Sequence, residues 1–277
     1  MMRLSKVFGA LKYYMSSGGY MMKMHLQGQM EYPSFLIGWF LSNALQFAVG
    51  VGTLKVITIQ FESINGWEFE QIAFMYGLGI ISHALAVIIF IQTWYIDGLV
   101  VHGEMDRMLL RPMSVYFQFC VHYLNLIGLT DMLPGIIIFV YGAIAAGFRL
   151  GFLNIISVVC VIAGATMLRG GIYTLAGSVG FWTKSNRSLT TVVTRLGDIS
   201  IMYPLTIYNR IVQSILTFVL PLGFISFYPA SAFLGKESGF EFPGVVPLWT
   251  LASGVLFMAL GMALFSAGLR HYDSAGN

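Results

Sequence analysis

The feature that most constrains this chain is a succession of long apolar runs separated by short polar joints. A helix crossing about 30 Å of hydrocarbon needs about 20 residues, and it alone satisfies every backbone donor and acceptor within one segment. Scanned at that length, the sequence yields six segments: residues 35–57, 72–91, 116–146, 153–181, 211–228 and 245–269. The third and fourth exceed one crossing, which predicts tilt or an interfacial extension. Composition agrees, since 57% of the residues are hydrophobic, only 10% are charged and mean hydropathy is +0.77. Too little polar surface is left to face water, so lipid is the solvent. The expected fold class is all-α integral membrane, with an N-terminal region at 1–33 and one six-helix domain at 34–271.

Orientation follows from Lys and Arg in the joints, which favour the cytoplasmic side. With the N-terminus inside, Arg3, Lys6, Lys12, Lys23, Arg107, Arg111, Lys184, Arg187, Arg195 and Arg270 fall inside, against Lys55, Arg149 and Lys236 outside. Both termini are therefore expected in the cytoplasm, and the first thirty residues lack the clean apolar core of a cleavable signal peptide. Leu4, Val7, Phe8 and Leu11 recur at helical spacing with Lys6 and Lys12 off their stripe. That pattern predicts a helix lying in the membrane interface, interrupted at Gly18 and Gly19; the alternative is a disordered tail.

Two inner joints are long enough to build structure. Residues 94–115 hold Gly103-Glu104-Met105-Asp106-Arg107-Met108-Leu109-Leu110-Arg111-Pro112, with Met105, Met108 and Leu109 on one helical face and the proline as a stop. The second, residues 182–198, is basic and rich in Thr and Ser. On the outer side, residues 229–245 are too apolar for a solvated loop and too broken for a span, so a re-entrant segment is expected.

The search for chemistry is mostly negative. Gly235-Lys236 is followed by Glu237 without the upstream glycine of a nucleotide-binding loop, and His25, His83, His102, His122 and His271 are scattered without metal-ligand spacing. Cys120 and Cys160 sit inside apolar runs as small hydrophobes. No catalytic or metal site is expected, and a net charge of +3 without a basic stripe argues against nucleic acid. Ionisable residues inside spans are functional candidates by default. Asp131 and Arg169 both fall about 20 Å from the inner surface at 1.5 Å per residue. An ion pair clamping the third span to the fourth is the expectation, ahead of a proton relay. Pro204 and Pro221 each remove a backbone donor, so the fifth segment should bend, either as a gate or as an ordinary feature of membrane helices.

The Gly103 to Pro112 joint, Tyr203-Pro204-Leu205-x-Ile207-Tyr208, and Pro221 leading to Phe227-Tyr228-Pro229-Ala230 resemble the membrane subunit of type 2 ATP-binding-cassette (ABC) exporters. More narrowly, the chain resembles a bacterial subfamily whose permease and ATPase are separate polypeptides. The resemblance implies an inner-membrane permease without its own catalytic site, assembled with two ATPase subunits that carry the ATP and Mg. A second permease chain, identical or related, completes the assembly. Gly103 to Pro112 would be the coupling helix, with Glu104, Asp106, Arg107 and Arg111 at the polar contact and Met105, Met108, Leu109 and Leu110 filling the docking groove. The second and fifth spans would line the route, where Phe74, Tyr76, Tyr203, Pro204, Tyr208, Pro221, Phe227, Tyr228 and Pro229 suit an amphipathic or hydrophobic cargo such as a drug, an antibiotic or a lipid-like molecule. Competing classes are an ion-gradient-driven transporter, which predicts inverted repeats, and a lipid-modifying enzyme, which needs convergent catalytic groups.

Overall fold

A computed structural model describes residues 2–122, 124–237 and 243–273, with the backbone alone for 2–12, 122 and 243. Helix α1, Met2–Met30, runs unbroken through Gly18 and Gly19, where an interruption was expected. The reason is a crossing: α1 packs on α6, Val115–His122, and a Cβ on Gly18 would stand 3.0 Å from the Phe117 ring. Tyr14 seals the contact, its hydroxyl accepting from the Ser114 N–H at 2.9 Å. The side chains of Leu4, Val7, Phe8 and Leu11 lie outside the described residues, so the expected stripe is not visible.

Five helical stretches among the described residues are long and apolar enough to cross a membrane: Pro33–Phe61, Phe69–Val101, Ile127–Ala145, Phe152–Thr183 and Val246–Arg270. The first is α2. The second holds α3 (Phe69–Phe90), a 3-10 turn and α4 (Ile96–Val101). It starts where the Glu68 N–H donates to the Gln71 side chain at 3.1 Å. The long third segment divides into α6 and α7 (Ile127–Ala145), and the join is bonded by Gln29, which donates to Leu124 O and accepts from Leu126 N, each at 2.8 Å. The fourth holds α8 (Phe152–Ser178) and α9 (Gly180–Thr183).

Two helix pairs make the frame. Burial does not drive helices together in lipid, so close packing must, and glycine permits it. In α7, Gly128, Gly135 and Gly142 fall at seven-residue spacing and face α3, where a Cβ on Gly135 would meet Ile80 at 2.7 Å and one on Gly142 the Phe74 backbone. Gly77 of α3 reciprocates against the Phe139 backbone. The second pair is α8 with α13 (Val246–Arg270): Gly164 and Gly171 face Gly254 and Gly261, again seven apart. A seven-residue repeat keeps one seam in register when two helices wrap with a left-handed crossing.

The fifth segment departs from expectation. Residues 211–228 do not form one helix. They break into α11 (Arg210–Ser214), a π turn at Ile215–Val219, a 3-10 turn at Leu222–Phe224 and the start of α12 (Phe227–Leu234), because Pro221 offers no N–H to continue a ladder. A helix forms instead within the expected second joint: α10, Arg187–Met202, which lies along α3 and α8. After α10 the chain reaches the end of the bundle that carries the 62–68 turn, since Asn65 Nδ2 donates to Thr206 O at 2.8 Å. Residues 210–234 then fold as a broken helical hairpin at that end. Thr250, on the second turn of α13, donates to Phe224 O at 3.2 Å, and Lys236 Nζ donates to Gly66 O at 2.8 Å. The hairpin overlaps the segment expected at 229–245 over residues 229–234, and 238–242 lie outside the described residues.

Candidate functional site

Two places concentrate polar chemistry: a cleft within the bundle and the joint at the end opposite the 62–68 turn. In the first, five helices each contribute a polar side chain. Asn43 of α2 donates to Asp131 Oδ1 at 2.5 Å and to Thr130 Oγ1 at 2.9 Å on α7. His83 of α3 stands 3.8 Å from Asp131 through Nε2 and 3.9 Å from Asp198 of α10 through Nδ1. Arg169 of α8, 1% exposed, lies 3.7 Å from Asp198 and donates to Gly197 O at 3.1 Å and the Tyr173 hydroxyl at 3.3 Å. Its Nη1 is also 3.2 Å from His83 Nδ1.

The expected Asp131–Arg169 ion pair is therefore corrected. Arg169 pairs with Asp198, and Asp131 reaches it only through His83. Sequence depth put Asp131 and Arg169 at one level but gave Asp198 to a solvated joint, because α10 was not read as a helix inside the bundle. A His and a second acid do continue the chain, which removes the ground on which a relay was set aside. The cluster opens on a cleft of ≈ 510 Å³ lined by Trp39, Asn43, Tyr76, His83, Asp131, Arg195 and Asp198 among others. Its aromatic walls and central charges make an amphipathic surface.

Of the expected route residues, Tyr76 lines this cleft, and Tyr203 and Tyr208 are half-buried. The others serve packing. Phe74 is buried among Phe139, Phe148 and Phe233, and Phe227 lies against Trp67 with ring centroids 5.6 Å apart. Tyr228 shares a 2.6 Å hydrogen bond with Thr217, and Pro204, Pro221 and Pro229 are buried with them, so these groups plug the end of the bundle at the 62–68 turn.

In the joint, α4 turns into α5, Met105–Leu109, at Gly103, whose φ of +69° is the left-handed conformation glycine adopts without strain. Glu104 N donates to Leu99 O at 3.1 Å and Gly103 N to Val100 O at 3.4 Å, the paired bonds of a Schellman stop. Gln118 of α6, fully buried, donates to Met108 O at 2.9 Å and Met113 O at 3.0 Å. The joint is thus a fixed elbow. Met105 and Met108 do not face outward as expected; they are buried with Ile96, Phe119, Phe181 and Phe265 in a core of the chain itself. Burial lifts the Tyr272 phenol above its usual range and the Asp106 carboxylate adds to the shift, so Asp106 faces the C-terminal end of α13. The outward surface is Glu104, Arg107, Leu109, Leu110, Arg111 and Pro112, with Leu110 86% exposed.

A nearly all-helical chain with glycine-seamed apolar helices, a charged cleft inside and a fixed elbow at one end has the architecture of a multi-pass membrane transport component. A family model described as ABC-2 family transporter protein matches residues 45–276, and the chain belongs to that family: it is a type 2 ABC permease. No curated protein and no solved structure matches the chain.

Proposed function

We propose that this permease exports an amphipathic or hydrophobic small molecule from a bacterial cell, driven by ATP hydrolysis on two separate ATPase subunits that grip the α4–α5 elbow. In this reading α10 is the sixth crossing, both termini are cytoplasmic, and a second permease chain faces the cleft. The observation that carries it is the elbow: Gly103, Gln118 and the buried Met105 and Met108 hold a short helix rigid while Arg107, Leu110 and Arg111 project from it. A rigid lever with a polar and apolar tip suits docking by a motor, and a flexible connection would not need buried anchors. The cleft suits an amphipathic cargo, with aromatic walls beside the charged groups Asp131, Arg195 and Asp198. The test is co-expression with the partner ATPase. Retention of the ATPase and cargo-stimulated ATP hydrolysis are expected, and both should fall when Arg107, Leu110 and Arg111 become Ala; undiminished retention refutes the docking site.

A second reading, transport driven by an ion gradient, is favoured by one observation, the Asp131–His83–Asp198 chain inside the bundle. It predicts cargo movement by the purified chain in vesicles under a proton gradient with no ATPase present.

A further inference from the structure

We infer that Arg169 is a two-position switch: paired with Asp198 it latches α10 against the bundle, and transferred to Asp131 it releases α10. The motor half of this inference rests on the ABC permease reading above; the switch itself does not.

The argument starts from how differently α10 is held. The α3–α7 and α8–α13 pairs interlock where glycine meets backbone, so neither slides without opening its whole seam. The buried face of α10 is made of Thr190, Thr194, Gly197, Ser200 and Ile201. Its hydroxyls donate to their own helix and its cap, Thr190 to Asn186 O, Thr194 to Thr190 O and Ser200 to Gly197 O, and not across the interface to the described residues. Beside the side-chain contact of Ile201 with Gly79, the polar ties along this face among the described residues are those of Arg169 to Gly197 O and Asp198, with His83 Nδ1 at 3.9 Å from the same Asp198. Gly197 admits that approach: a Cβ there would stand 3.1 Å from Arg169 Nη1.

A buried guanidinium does not give up one carboxylate without another, because an uncompensated charge in low dielectric is far costlier than a paired one. Asp131 supplies the second position. It lies beyond His83, which touches Arg169 at 3.2 Å and stands 3.8 Å from Asp131, so the imidazole marks a short path between the two acids. Arg169 Nε has no partner in the latched state, so the present arrangement does not saturate the group. Bistability of this kind, one charge and two alternative partners on different helices, turns a small displacement into a discrete change of packing. The motor has a handle on α10 as well: Asp97, at the start of α4, accepts from the Asn186 N–H at 3.2 Å just before α10 begins.

The test uses the full chain in lipid nanodiscs, with Cys120→Ser, Cys160→Ser and spin labels at Val192→Cys on α10 and Leu256→Cys on α13. Double electron–electron resonance should give one narrow distance for the otherwise unaltered chain. Asp198→Asn should shift it to a second distance, and Arg169→Gln, which keeps a donor in the buried site, should give that second distance too. Asp131→Asn should keep the first distance. With the partner ATPase and ATP the unaltered chain should move to the second distance, while Asp131→Asn stays at the first. An unchanged distance in Asp198→Asn, or a shift in Asp131→Asn alone, overturns the switch. If no ATPase binds, the ABC reading fails and the lone-chain measurements still decide the inference.

Discussion

Gly171→Ala tests the seams that hold the frame. A Cβ on Gly171 would stand 2.5 Å from Met258 N and 2.6 Å from Phe257 O, whereas carbon contacts are ordinarily about 3.5–4.0 Å apart. The shortfall is about 1 Å, and the atoms met are backbone, which cannot rotate away as a side chain does. Either α8 and α13 part along a seam that includes Gly164, Gly254 and Gly261, or the crowding is stored as strain. Overpacking of this kind costs about 1–3 kcal/mol, and alanine's better helix propensity offsets about 1 kcal/mol of it. The expected net loss is up to about 2 kcal/mol, with a fall of about 2–4 °C in Tm per kcal/mol for a chain of this size. Gly19→Ala is the control, since nothing lies within 4 Å of that position and propensity alone should raise stability by up to about 1 kcal/mol. Both are measured as the loss of the monodisperse chromatographic peak after heating in one detergent. The reasoning is refuted if Gly171→Ala survives heating as well as Gly19→Ala does.

Three further outcomes are expected. Gly103→Val forces a branched side chain into a left-handed turn at a cost of about 1–2 kcal/mol, so ATPase retention should weaken and the heated-peak assay should fall by a few degrees. Gln118→Leu leaves the Met108 and Met113 carbonyls without their donor, a loss of about 1–3 kcal/mol localised to the elbow, and trypsin should cut after Arg107 faster than in the unaltered chain. Asn43→Ala removes the shortest hydrogen bond to Asp131 and should lower Tm by a few degrees; an unchanged Tm would mean that α2 contributes nothing to holding that acid.

Five of the six expected spans were legible because length and apolarity are what lipid selects for, and those are local properties of the sequence. The elbow was legible for the same reason: Gly103, the Met105–Met108–Leu109 face and Pro112 lie within ten residues. Which face of that helix points inward was not, because Met105 and Met108 are buried by Phe119, Phe181 and Phe265, partners up to 160 residues away. The glycine seams were written at 128, 135 and 142 and at 254, 261 and 268, and a search for seven-residue spacing would have found them.

Helix α10 escaped reading for a reason that bears on function. Arg187, Arg195 and Asp198 depress its hydropathy below that of any span, and a window scan treats such a stretch as solvated. What admits it to the bundle is Arg169 on another helix, a compensation no local window can see. A helix that needs a charged partner is also the one that can be let go by moving that partner, whereas the glycine-seamed pairs have no single contact whose loss would free them. The misread segment and the segment inferred to move are the same because both follow from one arrangement: beside the apolar packing of Ile201, α10 depends on an electrostatic tie inside a frame held by shape.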